Sequence, residues 1–176
     1  MKKYKKKSRW YTLATLIIII LSSFFLIVWV NLDSSPPLTD STQSHLFNVY
    51  QLHYKITKDD HYSPDTYKST ITYPFFYYIT TLPIYFIFGV GEDQSVYVNV
   101  IFLIILLGST FFLAKKVYNE KVATLAVFIL ATMPGVVYFS RVYMLDLALT
   151  AFVTLSLYFL LCTNKFRNRK YSILFG

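Results

Sequence analysis

Charge is scarce in this chain: only 15% of its 176 residues are Asp, Glu, Lys or Arg. Soluble domains carry about 25%. The deficit comes from long runs without any charge, which exclude an ordinary soluble domain and indicate an integral membrane protein. Cysteine is represented by Cys162 alone, so an intramolecular disulfide is excluded. Cys162 lies in an apolar run, where a small membrane-buried side chain is expected.

The few charges that remain are mostly basic and give a net charge of +8. An excess of basic residues can indicate nucleic-acid binding, but here the lysines and arginines lie at the ends of apolar runs. Bases in such positions fix the orientation of a protein in a membrane. We therefore expect membrane lipid as a partner and no nucleic acid.

The apolar runs predict an all-α fold of polytopic transmembrane helices with an outer loop that carries short membrane-surface helices. Residues 10–30 contain no charge and are long enough to cross a hydrocarbon layer of about 30 Å as a helix. Their length and the lack of a small-x-small cleavage site favour a retained signal anchor over a cleaved signal peptide. We expect three further spanning helices, over residues 96–114, 122–139 and 147–162.

The run over residues 73–90 is ambiguous, because Pro83 interrupts it and it is rich in the Tyr and Phe of membrane interfaces. If this run crossed the membrane, the basic clusters at 115–121 and 165–170 would lie outside, against the positive-inside rule. If it stays at the outer face, both clusters and residues 1–9 are cytoplasmic. We predict four spans and one outer-face membrane-associated or re-entrant helix, with five spans as the alternative.

The lysine-rich N-terminus predicts a cytoplasmic start for a multi-pass protein of a bacterial inner or plasma membrane. Residues 31–72 then form an outer loop with five of the nine acidic residues and all three histidines. The pair Pro36-Pro37 prevents the first helix from continuing, and Asp40 or Ser41 can cap a new one. Helical spacing predicts a short amphipathic helix on the membrane surface through Leu46, Val49, Tyr50 and His53.

Two acidic residues are predicted to face the outer compartment: Asp40 in the loop and Asp146 at the mouth of a spanning helix. A helix cap and a chemical role both fit each of them. Arg141 lies five residues before Asp146 and suits either interfacial anchoring or phosphate binding through its fork of donors. The histidines are spaced eight residues apart, which is a weak signal for a metal site.

Several motifs occur in a characteristic order: PPLTD, then TYPFFYY, then AKKVYNEKVATLAVFILATMPGVVYFSRVYMLD, then an apolar run and a basic turn. The chain thereby resembles the GT-C membrane glycosyltransferases of the protein O-mannosyltransferase and lipid A aminoarabinose transferase superfamily. The resemblance covers nearly all of residues 1–176. It implies one transmembrane module, the N-terminal portion of a longer transferase, because YSILFG at the end reads as the start of another apolar run.

The resemblance implies transfer of a sugar, with inversion, from a polyprenyl-phosphate donor to a protein or glycolipid acceptor outside the cytoplasm. The family's first-loop acid, usually followed by Glu, matches Asp40, although Ser41 follows it here. The family's second-loop acid matches Asp146, preceded by Arg141. The alternatives are a non-catalytic truncated or accessory member of the family and a small transporter. A transporter usually carries ionisable groups within its helices, which are nearly free of them here.

This chemistry assigns a role to each candidate residue. An acceptor hydroxyl needs a base to take its proton, and we expect Asp40 and Asp146 to be the catalytic acids. The leaving phosphate needs positive charge, for which Arg141, Lys55 and Lys68 are the expected ligands. A divalent metal held by Asp40 or Asp146 also fits, because hard cations prefer oxygen ligands.

Overall fold

The computed structural model describes residues 2–33, 40–57 and 75–175, with side chains from residue 9 onward in the first helix and from residue 44 onward in the second. These residues form helices and no strand, which confirms the predicted all-α fold. The helices are α1 Lys2–Leu32, α2 Asp40–Thr57, α3 Phe75–Phe88, α4 Glu92–Val96, α5 Val98–Val117, α6 Glu120–Thr132, α7 Pro134–Arg141, α8 Leu145–Cys162 and α9 Arg169–Phe175.

Among the described residues, three stretches are long and apolar enough to cross a membrane: Arg9–Leu32 in α1, Glu92–Val117 in α4 and α5, and Leu145–Cys162 in α8. Large apolar side chains such as Phe24 and Leu149 are exposed on their outer faces, at 57% and 65%. Such a large exposed apolar surface is unfavourable in water but suits contact with lipid. The chain is therefore an integral membrane protein.

The run over residues 122–139 is not one continuous helix, and whether it crosses the membrane as one span stays a prediction. The axes of α6 and α7 are bent by 58° at Met133, and the two helices form either a broken span or a re-entrant loop. Pro134 lacks an N–H and disfavours helical backbone at the residue before it. Met133 is accordingly extended, with φ −67° and ψ 125°.

α5 is the central helix of the bundle and packs against α1, α6 and α8. It runs in the same direction as α8, because Phe102 contacts Phe152 and, further along both helices, Phe112 contacts Tyr158. Lipid supplies no hydrophobic force between such helices, so close packing and hydrogen bonds hold them together. One such bond joins the hydroxyls of Thr15 and Thr124, 3.0 Å apart, across α1 and α6.

The two ends of this bundle differ in charge. The lysine end holds the beginning of α1, residues 115–121 and the basic turn after α8, and Lys115 pairs there with Glu120 at 2.7 Å. The Asp146 end holds the end of α1, the beginnings of α5 and α8, and the turn at residues 142–144. At this end the Tyr97 hydroxyl donates to Asn31, at 3.1 Å.

α3 lies across the Asp146 end. Tyr77 near its start contacts Asn99, and Tyr85 near its end contacts Ser95, so both parts of α3 lie beside the beginning of α5. At 1.5 Å per residue its 14 residues fall short of a hydrocarbon layer of about 30 Å. Pro83 lies inside α3 without ending it. This geometry suits a helix of the outer face, although whether residues 73–90 cross the bilayer stays a prediction.

α2 packs on α3 at the same end. Helical periodicity was predicted for its inner face, and Leu46, Val49 and His53 are indeed buried. The ring of His53 meets the rings of Tyr85 and Phe86, with centroids 5.7 Å away in each case. This face of α2 therefore covers protein, and the position of α2 at the membrane surface stays a prediction.

Candidate functional site

A network of buried polar side chains fills the space between α2, α3, α5 and the turn before α8. We call it the polar network; it consists of His45, Asn48, Tyr77, Tyr78, Thr81, Asn99 and Tyr143. Its members are joined by hydrogen bonds across four segments of the chain. Such a network inside a membrane protein ties its segments together, because each polar group would be costly to bury alone.

Asn99 is completely buried and joins α3 and α5 to the turn before α8. Its Oδ1 accepts a hydrogen bond from the Tyr77 hydroxyl at 3.0 Å. Its Nδ2 donates to the carbonyls of Ser140 and Val142, at 3.1 and 2.8 Å. These carbonyls flank Arg141, so Asn99 fixes the backbone on both sides of the predicted phosphate ligand.

Tyr143 fixes the other side of this turn. Its hydroxyl lies 2.9 Å from that of Thr81 on α3, and its ring lies 4.8 Å from the ring of Tyr77, measured between centroids. All three side chains are buried. The start of α8, and with it Asp146, is thereby held against α3.

Asp146 is exposed at the second position of α8. The N-cap of this helix is Met144, so Asp146 does not occupy the capping position that the sequence left open. Among the described residues, no hydrogen bond or salt bridge engages its carboxylate. The carboxylate is therefore available to a ligand, and the amino end of α8 favours its negative charge.

His45 is a member of the site that the sequence did not single out. Its Nδ1 lies 2.8 Å from the Tyr78 hydroxyl. The oxygen of this hydroxyl accepts a hydrogen bond from Asn48 at 3.2 Å, which lets the hydroxyl hydrogen point at His45. Tyr78 can therefore donate a hydrogen bond to the Nδ1 of a neutral imidazole. Burial lowers the pKa of His45 below its ordinary value of 6.5, and the negative charge of Asp146 opposes this in part. α2 thus lies within electrostatic reach of Asp146.

Arg141 lies on another side of the turn, against α1. The centre of its guanidinium is 3.8 Å from the centroid of the Trp29 ring, which is a close cation–π contact. Of the other two predicted phosphate ligands, Lys55 is exposed near the end of α2 and Lys68 lies outside the described residues. The structure does not bring Lys55 and Arg141 into contact.

Asp40 is the first residue of α2, but its side chain lies outside the described part of the chain. No group of three or more His, Cys, Asp and Glu among the described residues could hold a metal ion. Asp146 thus supplies one carboxylate where a divalent cation takes several oxygen ligands. The metal predicted on Asp40 or Asp146 stays a prediction.

Comparison with known proteins matches part of the chain to a family. Residues 70–176 match the family described as dolichyl-phosphate-mannose-protein mannosyltransferase. This region spans more than half of the chain and contains α3 to α9, hence Asn99, Arg141 and Asp146, whereas α2 and Asp40 precede it. Neither a curated protein nor a solved structure matches the chain.

Proposed function

The chain belongs to the dolichyl-phosphate-mannose-protein mannosyltransferase family, and we propose that it transfers a sugar from a polyprenyl-phosphate donor to a protein or glycolipid acceptor. Transfer takes place on the non-cytoplasmic side of the membrane, at the Asp146 end of the bundle. The family match supports the class of reaction. The polar network supports the position of the site.

The distribution of charge supports this orientation. Arg9, the lysines of residues 115–121 and the basic turn at residues 165–170 all lie at the lysine end. Basic residues flanking spanning helices are retained in the cytoplasm. The Asp146 end then faces outward, as transfer on that side requires.

The position of α2 supports a single site for the two proposed catalytic acids. The negative charge of Asp146 on α8 partly opposes the lowering of the pKa of His45 on α2, so the two side chains belong to the same end of the bundle. Asp40 begins α2 only five residues before His45, a rise of about 7.5 Å along the helix. The packing of α2 therefore brings the first residue of that helix to the end of the bundle that carries Asp146.

The proposed chemistry needs a base and a cation. A carboxylate, Asp40 or Asp146, accepts the proton of the acceptor hydroxyl as that oxygen attacks the sugar carbon. The bond from this carbon to the phosphate oxygen breaks, and the polyprenyl phosphate leaves as an anion. The guanidinium of Arg141 stabilises the developing charge through two parallel N–H bonds. A divalent cation, where bound, would add charge of the same sign.

The test is transfer of radiolabelled mannose from a mannosyl polyprenyl phosphate by membranes that contain equal amounts of each variant. Asp40→Asn and Asp146→Asn keep the side-chain size but remove the base, so the residue that acts as the base loses about two to four orders of magnitude of rate. Asp33→Asn is the matched control at the end of α1 and keeps near wild-type transfer.

Two results would contradict the proposal. Wild-type rates in both Asp40→Asn and Asp146→Asn would remove these acids from the reaction. Absence of transfer by the wild-type chain, at a membrane level that binds donor, would favour the accessory role in the same family.

A further inference from the structure

The chain enters the basic turn after α8 through an unusual backbone. Asn164, Lys165 and Phe166 have φ angles of 48°, 57° and 60°, in the left-handed region. Asn enters this region readily, whereas Lys and Phe do so at a cost, because their Cβ atoms crowd the backbone. Such conformations persist where surrounding contacts enforce them, and they cluster at functional sites. The turn is therefore a candidate for more than a connection between helices.

Thr163 holds this turn in place. It is buried, and its hydroxyl donates to the carbonyl of Leu160 at 2.8 Å and accepts from the N–H of Phe166 at 3.3 Å. Its carbonyl accepts a hydrogen bond from the N–H of Asn168 at 2.9 Å. These bonds fix the backbone between α8 and α9, so the side chains that follow the turn have defined positions.

A cleft of about 470 Å³ lies beyond this turn, at the lysine end of the bundle. Its lining consists of two arginines, one serine and two large apolar residues: Arg167, Arg169, Ser172, Phe166 and Ile173. The Ser172 hydroxyl is used, because it donates to the carbonyl of Asn168 at 2.9 Å. Within the part of the chain that the structure describes, no hydrogen bond or salt bridge engages either guanidinium. The cleft therefore holds two cations with unused donors.

Nearby acids do not neutralise these cations. Four bases fall within residues 165–170, whereas no acidic residue follows Asp146 in the sequence. Elsewhere at the lysine end, Glu120 already pairs with Lys115. The cleft is thus suited to an anion from outside the described chain.

Exposed apolar side chains lie beside the two cations. Phe166 is 63% exposed and Ile173 is 67% exposed, although both line the cleft. The turn follows directly on Cys162, the last residue of a helix of spanning length. We therefore expect it at the level where the hydrocarbon layer meets the headgroups. Apolar groups at that level suit acyl chains, and clustered bases next to a spanning helix suit anionic headgroups.

We infer that this cleft binds the headgroup of an anionic phospholipid, with its phosphate bonded to Arg167 and Arg169. A planar guanidinium binds phosphate through two parallel N–H bonds. A free phosphate ion would match the two cations but leave Phe166 and Ile173 exposed, and a lipid without net charge would do the reverse. The cleft lies at the end of the bundle opposite Asp146, so the inference does not rest on the proposed transfer reaction.

Photolabelling of the full chain in lipid nanodiscs tests the inference. The discs consist of phosphatidylcholine with a small fraction of phosphatidylglycerol that carries a diazirine close to its headgroup. Labelled residues are identified by mass spectrometry after chymotryptic digestion. We expect labels within residues 166–175. A phosphatidylcholine with the same diazirine should label this segment about tenfold less, because it has no net charge. Inorganic phosphate in the buffer should leave the labelling unchanged.

Two double variants separate the cleft from the general charge of the turn. Arg167→Gln with Arg169→Gln removes both guanidiniums and should reduce labelling by phosphatidylglycerol about tenfold or more, since hydrogen bonds to a charged group are lost. Lys165→Gln with Lys170→Gln removes the same charge from the same turn but no lining residue. The arginine variant should therefore lose at least about threefold more labelling than the lysine variant.

A second pair of variants tests the apolar side of the cleft and keeps all charges. Ile173→Asn removes an apolar lining residue and should reduce labelling, because contact with the acyl chain is lost. Leu174→Asn is the matched control, since Leu174 is also exposed but lies outside the lining of the cleft. All six substituted side chains are exposed, so the variants should fold.

Three outcomes would overturn the inference. Equal losses in the two double variants would mean that lipid responds to the net charge of the turn and not to the cleft. Removal of the labels by inorganic phosphate would assign the cleft to a free anion. Equal labelling by the phosphatidylcholine probe, or equal effects of Ile173→Asn and Leu174→Asn, would exclude a cleft that selects an anionic lipid. None of these measurements involves sugar transfer, so each result leaves the proposed function untouched.

Discussion

Replacement of Asn99 by Leu tests whether hydrogen bonds hold the turn that carries Arg141. Leu has almost the same size, so packing is largely kept while three hydrogen bonds, of 3.0, 3.1 and 2.8 Å, are lost. Each buried group left without a partner costs about 1–3 kcal/mol in soluble proteins. Hydrogen bonds between membrane helices average about 0.6 kcal/mol, because the unfolded chain in lipid finds other partners.

For three groups, these two values place the expected loss in the free energy of unfolding between about 2 and 9 kcal/mol. The Tyr77 hydroxyl can rotate toward another acceptor, whereas the carbonyls of Ser140 and Val142 belong to fixed backbone. We therefore expect a loss of about 3 kcal/mol in the free energy of unfolding, which reduces the ratio of folded to unfolded protein more than 100-fold.

The assay is reversible unfolding in mixed micelles, followed by fluorescence in a Trp10→Phe background. The remaining Trp29 lies 3.8 Å from the guanidinium of Arg141, so its emission reports the position of the turn directly. Ser109→Ala is the control on the same helix, since its buried hydroxyl donates only to Leu106 of its own helix. We expect this control to lose less than about 1 kcal/mol.

The Asn99→Asp variant separates the two kinds of bond. Asp can accept a hydrogen bond from the Tyr77 hydroxyl but has no N–H to donate to the carbonyls of Ser140 and Val142. The free energy of unfolding of Asn99→Asp should therefore fall at least as much as that of Asn99→Leu. If Asn99→Leu unfolded within about 0.5 kcal/mol of Ser109→Ala, the hydrogen bonds of Asn99 would not be what holds the turn. Full stability of Asn99→Asp would refute the role of the two carbonyls.

Three further predictions concern pH, topology and helix packing. Because burial lowers the pKa of His45, its contribution to the α2–α3 contact is complete above pH 6.5 and is lost as the pH falls through the lowered pKa. The rate of backbone hydrogen exchange in α2, corrected for intrinsic rates, should thus rise from pH 7.5 to 5.5 in the wild type but not in His45→Gln. The same change with pH in both proteins would contradict this prediction. With cysteines at Gln94 and Asn119 in a Cys162→Ser background, an impermeant reagent should label only Gln94→Cys in intact cells, and the reverse pattern would restore five spans. Thr124→Val should cost about 0.6 kcal/mol in the same unfolding assay, because its hydroxyl bonds both Thr15 and a carbonyl of α1; no change would exclude this contact from the stability of the bundle.

The sequence predicted the features that depend on local pattern. Three of the uncharged runs are recovered as helices of spanning length, and the helical spacing of α2 is correct, because hydropathy and periodicity are properties of neighbouring residues. The break at Met133 was missed, although Pro134 is the signal for it. Hydropathy alone merged two helices that the chemistry of proline separates.

The polar network depends on distant residues, and this is why the sequence did not reveal it. His45 meets Tyr78 from 33 positions away, and Asn99 meets Val142 from 43. Tyr77 and Tyr78 looked like residues of a membrane interface, but both are buried with their hydroxyls bonded to other segments. One usable signal was present: Asn99 is a polar residue in an apolar run, and such residues often bond across helices.

The turn before α8 has two sides, and they receive different partners. Arg141 contacts α1, whereas Asp146 lies within electrostatic reach of α2. Inverting reactions at a sugar carbon require the attacking oxygen and the leaving oxygen on opposite faces of the ring. On the proposed function, a donor held by Arg141 would present one face of its sugar to the side of α1 and the other to the side of α2. The acceptor would then approach from α2, next to the carboxylate that takes its proton, while the lipid phosphate leaves toward α1. Asn99 binds the backbone between these two sides, so its loss should impair transfer even where donor still binds.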